Sequence, residues 1–98
     1  MEIKDRLRLL RMEHGLTMDM LAYDMNQRFN INLSKGLISK WEQGKNDPSL
    51  EYACYLAQYF NVSLDYLIGL TDVRTPARIL AYARKFSELK KDGGNENG

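Results

Sequence analysis

The strongest constraint on what this chain can fold into is its punctuation. Residues that cap or break helices recur at short intervals: Gly15 with Thr17, Asn30 to Ser34, Gly44 with Ser49, Asn61 with Ser63, and then Gly69. Ser and Thr side chains satisfy the orphan N–H groups at helix starts, and glycine takes the left-handed conformation in which many helices end. Between these marks the apolar residues recur three and four apart, the spacing of one face of an α-helix. No segment alternates with period two between hairpin turns, so no strand is expected. The pattern predicts an all-α fold of several short helices.

The segments can be placed individually. Glu2 to His14 carries Ile3, Leu7 and Leu10 on one stripe, with Lys4, Arg8 and Arg11 facing elsewhere, and Gly15 ends it. Thr17 caps a second helix, with Asp19 near its positive dipole end and Leu21, Met25 and Phe29 at steps of four. The polar run Asn30 to Asn32 interrupts that stripe. Ser34 caps a third helix, Lys35 to Gln43, ended by Gly44. In it Leu37, Ile38 and Trp41 share one face, while Lys35, Gly36, Ser39 and Lys40 fall away from it. The turn sequence GKNDP follows. Ser49 opens a fourth helix through Ala53, Leu56, Ala57 and Phe60, and Ser63 opens a short fifth helix through Leu64, Leu67 and Ile68 to Gly69. Thr75-Pro76 has the form of another helix start, with Ile79, Ala83 and Phe86 at helical spacing. The expected organisation is a domain over 1–70, a C-terminal helix over 71–91 serving dimerisation or linkage, and a disordered glycine-rich tail over 92–98.

Composition narrows the function classes. With 44% hydrophobic and 28% charged residues in 98, the chain has one modest core to bury. Cys54 is the single cysteine and His14 the single histidine, forty positions apart, so no disulfide framework forms and no zinc site is completed without distant carboxylates. No Ser/His/Asp set, phosphate-cradling glycine loop or metal cluster stands at working spacing, and neither catalysis nor a cofactor is expected. The charged start MEIKDRLRLL lacks the apolar core of a signal peptide, and no apolar run approaches the roughly 20 residues of a membrane span. A cytoplasmic protein is expected.

The net charge of +1 conceals an uneven distribution. From Asn26 to Pro48, Arg28, Lys35, Lys40 and Lys45 outnumber Glu42 and Asp47. Ser49 to Asp72 holds Glu51, Asp65 and Asp72 without a cation, and Val73 to Gly98 is again basic. Affinity for a polyanion depends on where the cations sit rather than on their sum, although such fluctuations are also ordinary for solvated surfaces. Helix three is the more specific signal. One apolar face anchors it, its other face carries small and cationic residues, and a DNA major groove about 12 Å wide admits one α-helix. Gly36 removes a side chain, so the helix backbone can approach DNA closely.

The segments IKDRLRLLR, LTMDMLAYDM and SKGLISKWEQGKNDPSLEYACYLAQYFNVSLDYLIG closely resemble the lambda-repressor-like (Cro/phage repressor, Xre-type) helix-turn-helix family over roughly residues 3–69. I-S-K-W-E-Q-G-K, followed by P-S-L and N-V-S-L-D-Y-L, is the most specific part. The resemblance implies a five-helix DNA-binding bundle with 17–29 as the first motif helix and 34–43 as the recognition helix. It implies base reading by Lys35, Gly36, Ser39 and Lys40. It implies phosphate or supporting contacts from Thr17, Met18 and Ser34, and from Lys45 and Asn46 in the following loop. Backbone contacts set register while base contacts set specificity. The chain departs from the family twice. Met18 stands where many members carry glutamine, which removes a polar link between phosphate and recognition helix. The stretch from Leu21 to Trp41 is about six residues longer than the compact motif, making an extended helix-turn-helix in which Arg28 and Asn32 are candidate backbone contacts.

Other residues have simpler readings. The spacing of Trp41 predicts burial, Glu42 suits pairing with a neighbouring cation, and His14 suits a helix C-terminus. Met12, Met18, Met20 and Met25 read as core filler. Tyr52, Tyr55, Tyr59 and Tyr66 are expected to pack their rings and leave their hydroxyls wet. Functionally, the expectation is a repressor that binds double-stranded, pseudo-palindromic operator DNA as a homodimer, with the 76–91 stripe contributing to association. The chain also suits the DNA-binding part of a longer regulator with a missing C-terminal domain. The alternative is an antitoxin, with a toxin partner held by 70–98.

Overall fold

The computed structural model describes residues 1–76, and all five helices lie within them: α1 Ile3–Glu13, α2 Met18–Phe29, α3 Lys35–Glu42, α4 Leu50–Phe60 and α5 Leu64–Leu67. No strand occurs among the described residues, and the predicted all-α bundle is the fold observed. The expected C-terminal helix beyond Pro76 and the 92–98 tail lie outside the described residues.

The caps fall where the hydroxyl residues predicted them. Thr17, Ser34, Ser49 and Ser63 each accept, through the side-chain oxygen, a hydrogen bond from the N–H three residues on, at Met20, Leu37, Tyr52 and Tyr66. At α1 the cap is acidic, and the Glu2 N–H donates to Asp5 Oδ2 at 3.2 Å. Asn30 and Asn61 end α2 and α4 in the left-handed region, both at φ 55°. Asparagine tolerates that region better than other side-chain-bearing residues.

One core joins all five helices. Leu7, Leu10, Leu21, Met25, Ile38, Leu56 and Leu67 are sealed from solvent, with Trp41, Phe60 and Tyr66 nearly so. Trp41 packs against the Tyr52 ring at 5.7 Å, as its spacing predicted. The C-terminal half of α2 is held to α4 by aromatic contacts: Phe29 lies 4.8 Å from Tyr55, and the Tyr59 hydroxyl donates to Asp24 at 2.9 Å. Methionine divides by position. Met25 fills the core, whereas Met12 and Met20 are exposed rather than filler. The tyrosine hydroxyls differ from expectation too, since Tyr55, Tyr59 and Tyr66 bond to Glu51, Asp24 and Arg74.

Arg6, on the first helix, is 4% exposed. Its guanidinium lies 4.1 Å from the Tyr66 ring centre and donates to the carbonyls of Tyr66 and Thr71 and to Asp72 Oδ1. Ser63 N–H donates to the Arg74 carbonyl, and Ser63 Oγ donates to that of Val73. Arg74 in turn makes a two-pronged pair with Glu13 at 2.8 and 2.9 Å. Residues 71–74 thus form a strap laid against α1 and α5, and the hydrogen-bonded bundle continues past the expected boundary at 70.

Candidate nucleic-acid interface

The site is built where two helices begin side by side. Thr17 and Ser34 cap α2 and α3, and the N–H groups of Met18, Asp19, Lys35 and Gly36 meet no protein acceptor among the described residues. Free N–H groups and the helix dipole make such ends attractive to anions. An ion pair ties the two starts together, Lys35 Nζ lying 3.8 Å from Asp19 Oδ2 with both side chains largely exposed. Met18 is half-buried against the core and contributes no polar link; Asp19 supplies one to the neighbouring helix instead.

Along α3, Ile38 and Trp41 are buried and Leu37 is half-buried against the core, so the opposite face is turned outward. That face carries Lys35, Gly36, Ser39 and Lys40, of which Lys35, Gly36 and Lys40 are exposed and Ser39 is half-buried. A Cβ placed on Gly36 would meet only Ser34 Oγ, at 3.9 Å. The fold itself therefore does not require glycine there. Ser39 Oγ accepts from Gln43 Nε2 at 2.7 Å, which brings an exposed amide onto the same face. Sequence reasoning did not single out Gln43. Its position four residues after Ser39 and seven after Gly36 is the signal that places it there.

The outward face is fixed from behind by charge. Arg11 Nε donates to Glu42 Oε2 at 2.6 Å and Arg11 Nη2 to Glu42 Oε1 at 2.9 Å, while Arg11 Nη1 reaches the Leu16 carbonyl. The Glu42 side chain is 4% exposed. Its hydrogen bonds hold the Arg11 guanidinium above its ordinary pKa despite partial burial. A bidentate pair of this kind fixes direction as well as distance, and it pins the end of α3 to α1. The link between α2 and α3 is fixed by Asn26. Its Nδ2 donates to the Leu33 carbonyl at 2.8 Å and its Oδ1 accepts from the Leu33 N–H at 2.6 Å.

The remaining candidates flank this centre. Ser34 is spent as a cap, like Thr17. Lys45 and Asn46 are exposed in the loop after α3, which turns at Gly44 with φ 74° and is closed by the Lys45 N–H on the Lys40 carbonyl. Asn32 is exposed within the link. Arg28 is brought elsewhere: it lies over the Phe29 and Tyr59 rings, about 16 Å along α2 from Thr17 at 1.5 Å per residue. Away from the α2–α3 face, a mainly apolar groove of about 260 Å³ is lined by Ile3, Pro48, Leu50, Ala53, Leu64 and Ile68, together with Asp47. No group of three or more potential metal ligands occurs among the described residues.

This arrangement agrees with comparison to known proteins. A family model described as helix-turn-helix matches residues 7–67. The chain belongs to the helix-turn-helix family, of the Cro/C1 type. A relative from Bacillus subtilis (strain 168), named "Uncharacterized HTH-type transcriptional regulator YobD", is 38% identical over 71 residues, covering 72% of this chain and 58% of its own. The "HTH-type transcriptional activator BcrR" of Enterococcus faecalis is 33% identical over 91 residues, covering 93% of this chain and 40% of its own. The chain thus spans about half the length of these curated relatives. No solved structure matches it significantly. No helix among the described residues is long and apolar enough to cross a membrane.

Proposed function

We propose that this helix-turn-helix protein is a sequence-specific DNA-binding transcriptional regulator that reads operator DNA with α3. The observation that carries this is the paired start of α2 and α3: open N–H groups beside a face of Lys35, Gly36, Ser39 and Lys40, backed by buried Ile38 and Trp41 and half-buried Leu37. Lysine recognises guanine O6 and N7 in the major groove, and helix starts hold the flanking phosphates. Met18, Ser34, Thr17, Lys45 and Asn46 would hold backbone around that centre, with Asn32 at its edge and Arg28 outside it, farther along α2.

The chain would act as a homodimer on a pseudo-palindromic site, two recognition helices entering major grooves about one helical turn apart. The apolar groove beside Leu50, itself 73% exposed, supports association. Occupancy alone suffices for repression. The name of one relative favours a second reading, in which the bound protein activates. The relatives' greater length supports a further domain in the whole regulator.

Anisotropy titration of a promoter fragment beside the chain's own gene, against scrambled duplex at two salt concentrations, tests the reading. Selective binding that weakens with salt is expected, and Lys35→Ala or Lys40→Ala should abolish the selectivity with helicity preserved. Equal weak binding to both duplexes would refute it. A reporter fused to the same promoter gives the sign of regulation, and a stoichiometric co-purifying toxin would replace the regulator reading by the antitoxin one.

A further inference from the structure

The feature least accounted for by DNA binding is an anion placed where DNA would arrive. Asp19 sits in the first turn of α2, beside N–H groups open to phosphate, and its carboxylate is 74% exposed. It lies 3.8 Å from Lys35, the first cation of the reading face. Among the described residues Lys40 and Lys45 take part in no ion pair, so Lys35 alone of these three is held by a carboxylate.

A lysine ammonium is a compact charge on a flexible stem with three donors. Left free at a groove edge, it would turn to the nearest phosphate, a contact every sequence offers equally. Asp19 competes with phosphate for that ammonium and repels phosphate from the start of α2. Pairing with Asp19 still leaves Lys35 donors for acceptors on a base edge. We propose that Asp19 is a specificity-determining positioning residue: it steers Lys35 away from phosphate toward bases and so lowers affinity for non-operator DNA. The inference rests on the operator-reading function proposed above.

The test is Asp19→Asn in the full chain, titrated against the promoter fragment and scrambled duplex across a salt series. Asparagine keeps a short polar side chain in the first turn, and thermal unfolding checks the fold. Scrambled duplex should bind about 3–10-fold more tightly, with its logarithmic salt slope steeper by about one unit, as for one added phosphate contact. Operator affinity should rise less, so the selectivity ratio falls. In a Lys35→Gln background most of the tightening on scrambled duplex should vanish. Unchanged scrambled-DNA affinity and slope, with a wild-type chain that does select the operator, would overturn this role alone. So would an effect of equal size in the Lys35→Gln background, which would reduce Asp19 to direct repulsion of phosphate. A wild-type chain without selectivity would instead remove the operator reading, and this role with it.

Discussion

Two glycines at helix ends separate backbone strain from packing. Gly15 has φ 67° and a Cβ there would meet nothing within 4 Å, whereas Gly69 has φ 88° and a Cβ there would lie 2.3 Å from the Met1 carbonyl oxygen. Gly15→Ala should cost only the left-handed strain, about 1–2 kcal/mol. Gly69→Ala carries that strain and must also push the N-terminal backbone off α5, so a loss of about 2–4 kcal/mol is expected. Urea unfolding of both variants checks this, and equal losses would mean that the Met1 contact contributes nothing. The residue scale is also where sequence reading was least complete. Thr17, Ser34, Ser49 and Ser63 were legible as caps because capping is local chemistry. Arg6 was not, because its partners Tyr66, Thr71 and Asp72 are sixty or more positions away.

At the scale of elements, the added length between Leu21 and Trp41 is absorbed by specific bonds. Asn26 replaces what a tight turn would otherwise do, bonding both the N–H and the carbonyl of Leu33. Asn26→Ala strands both groups, and a loss of about 1–3 kcal/mol is expected. Hydrogen exchange at the Leu33 amide should accelerate more than at Leu56 in α4. The same half of the long α2 is fixed to α4 by Tyr59 on Asp24. Burial, with the Asp24 hydrogen bond and charge adding to it, pushes the Tyr59 hydroxyl from its usual 10 up to about 12. In that window the unfolded chain releases the proton while the folded chain retains it, so stability falls as pH rises from 10 to 12. Ultraviolet titration should show one tyrosine ionising near pH 12, and Tyr59→Phe should remove both that step and its share of the alkaline destabilisation.

For the whole molecule, the family match and the physical bundle end in different places. The match stops at Leu67, yet the strap at 71–74 supplies partners to Arg6, Ser63 and Glu13. Arg74 holds the Glu13 carboxyl below its ordinary pKa, in keeping with a formed ion pair. A chain ended after Pro76 keeps the whole strap and should unfold cooperatively. One ended after Leu67 strips Arg6 of its acceptors in the strap, and its Tm should drop by about 5 °C or more. Calorimetry of the two truncations decides whether the strap belongs to the folding unit, and coincident midpoints would exclude it.

The sequence by itself determined the helices, their caps and the buried stripes, because each follows from period, capping chemistry and apolar spacing within a dozen residues. It also determined which face of α3 points outward, since Leu37, Ile38 and Trp41 leave only one face free. Tertiary structure decided what crosses between elements. It set Asp19 against Lys35, locked Glu42 into Arg11, closed the long link through Asn26 and moved Arg28 onto the aromatic rings of α2 and α4. Those pairings depend on how helices distant in sequence are oriented in space, and no local pattern encodes that orientation: it emerges only when all five apolar stripes are buried together in one core.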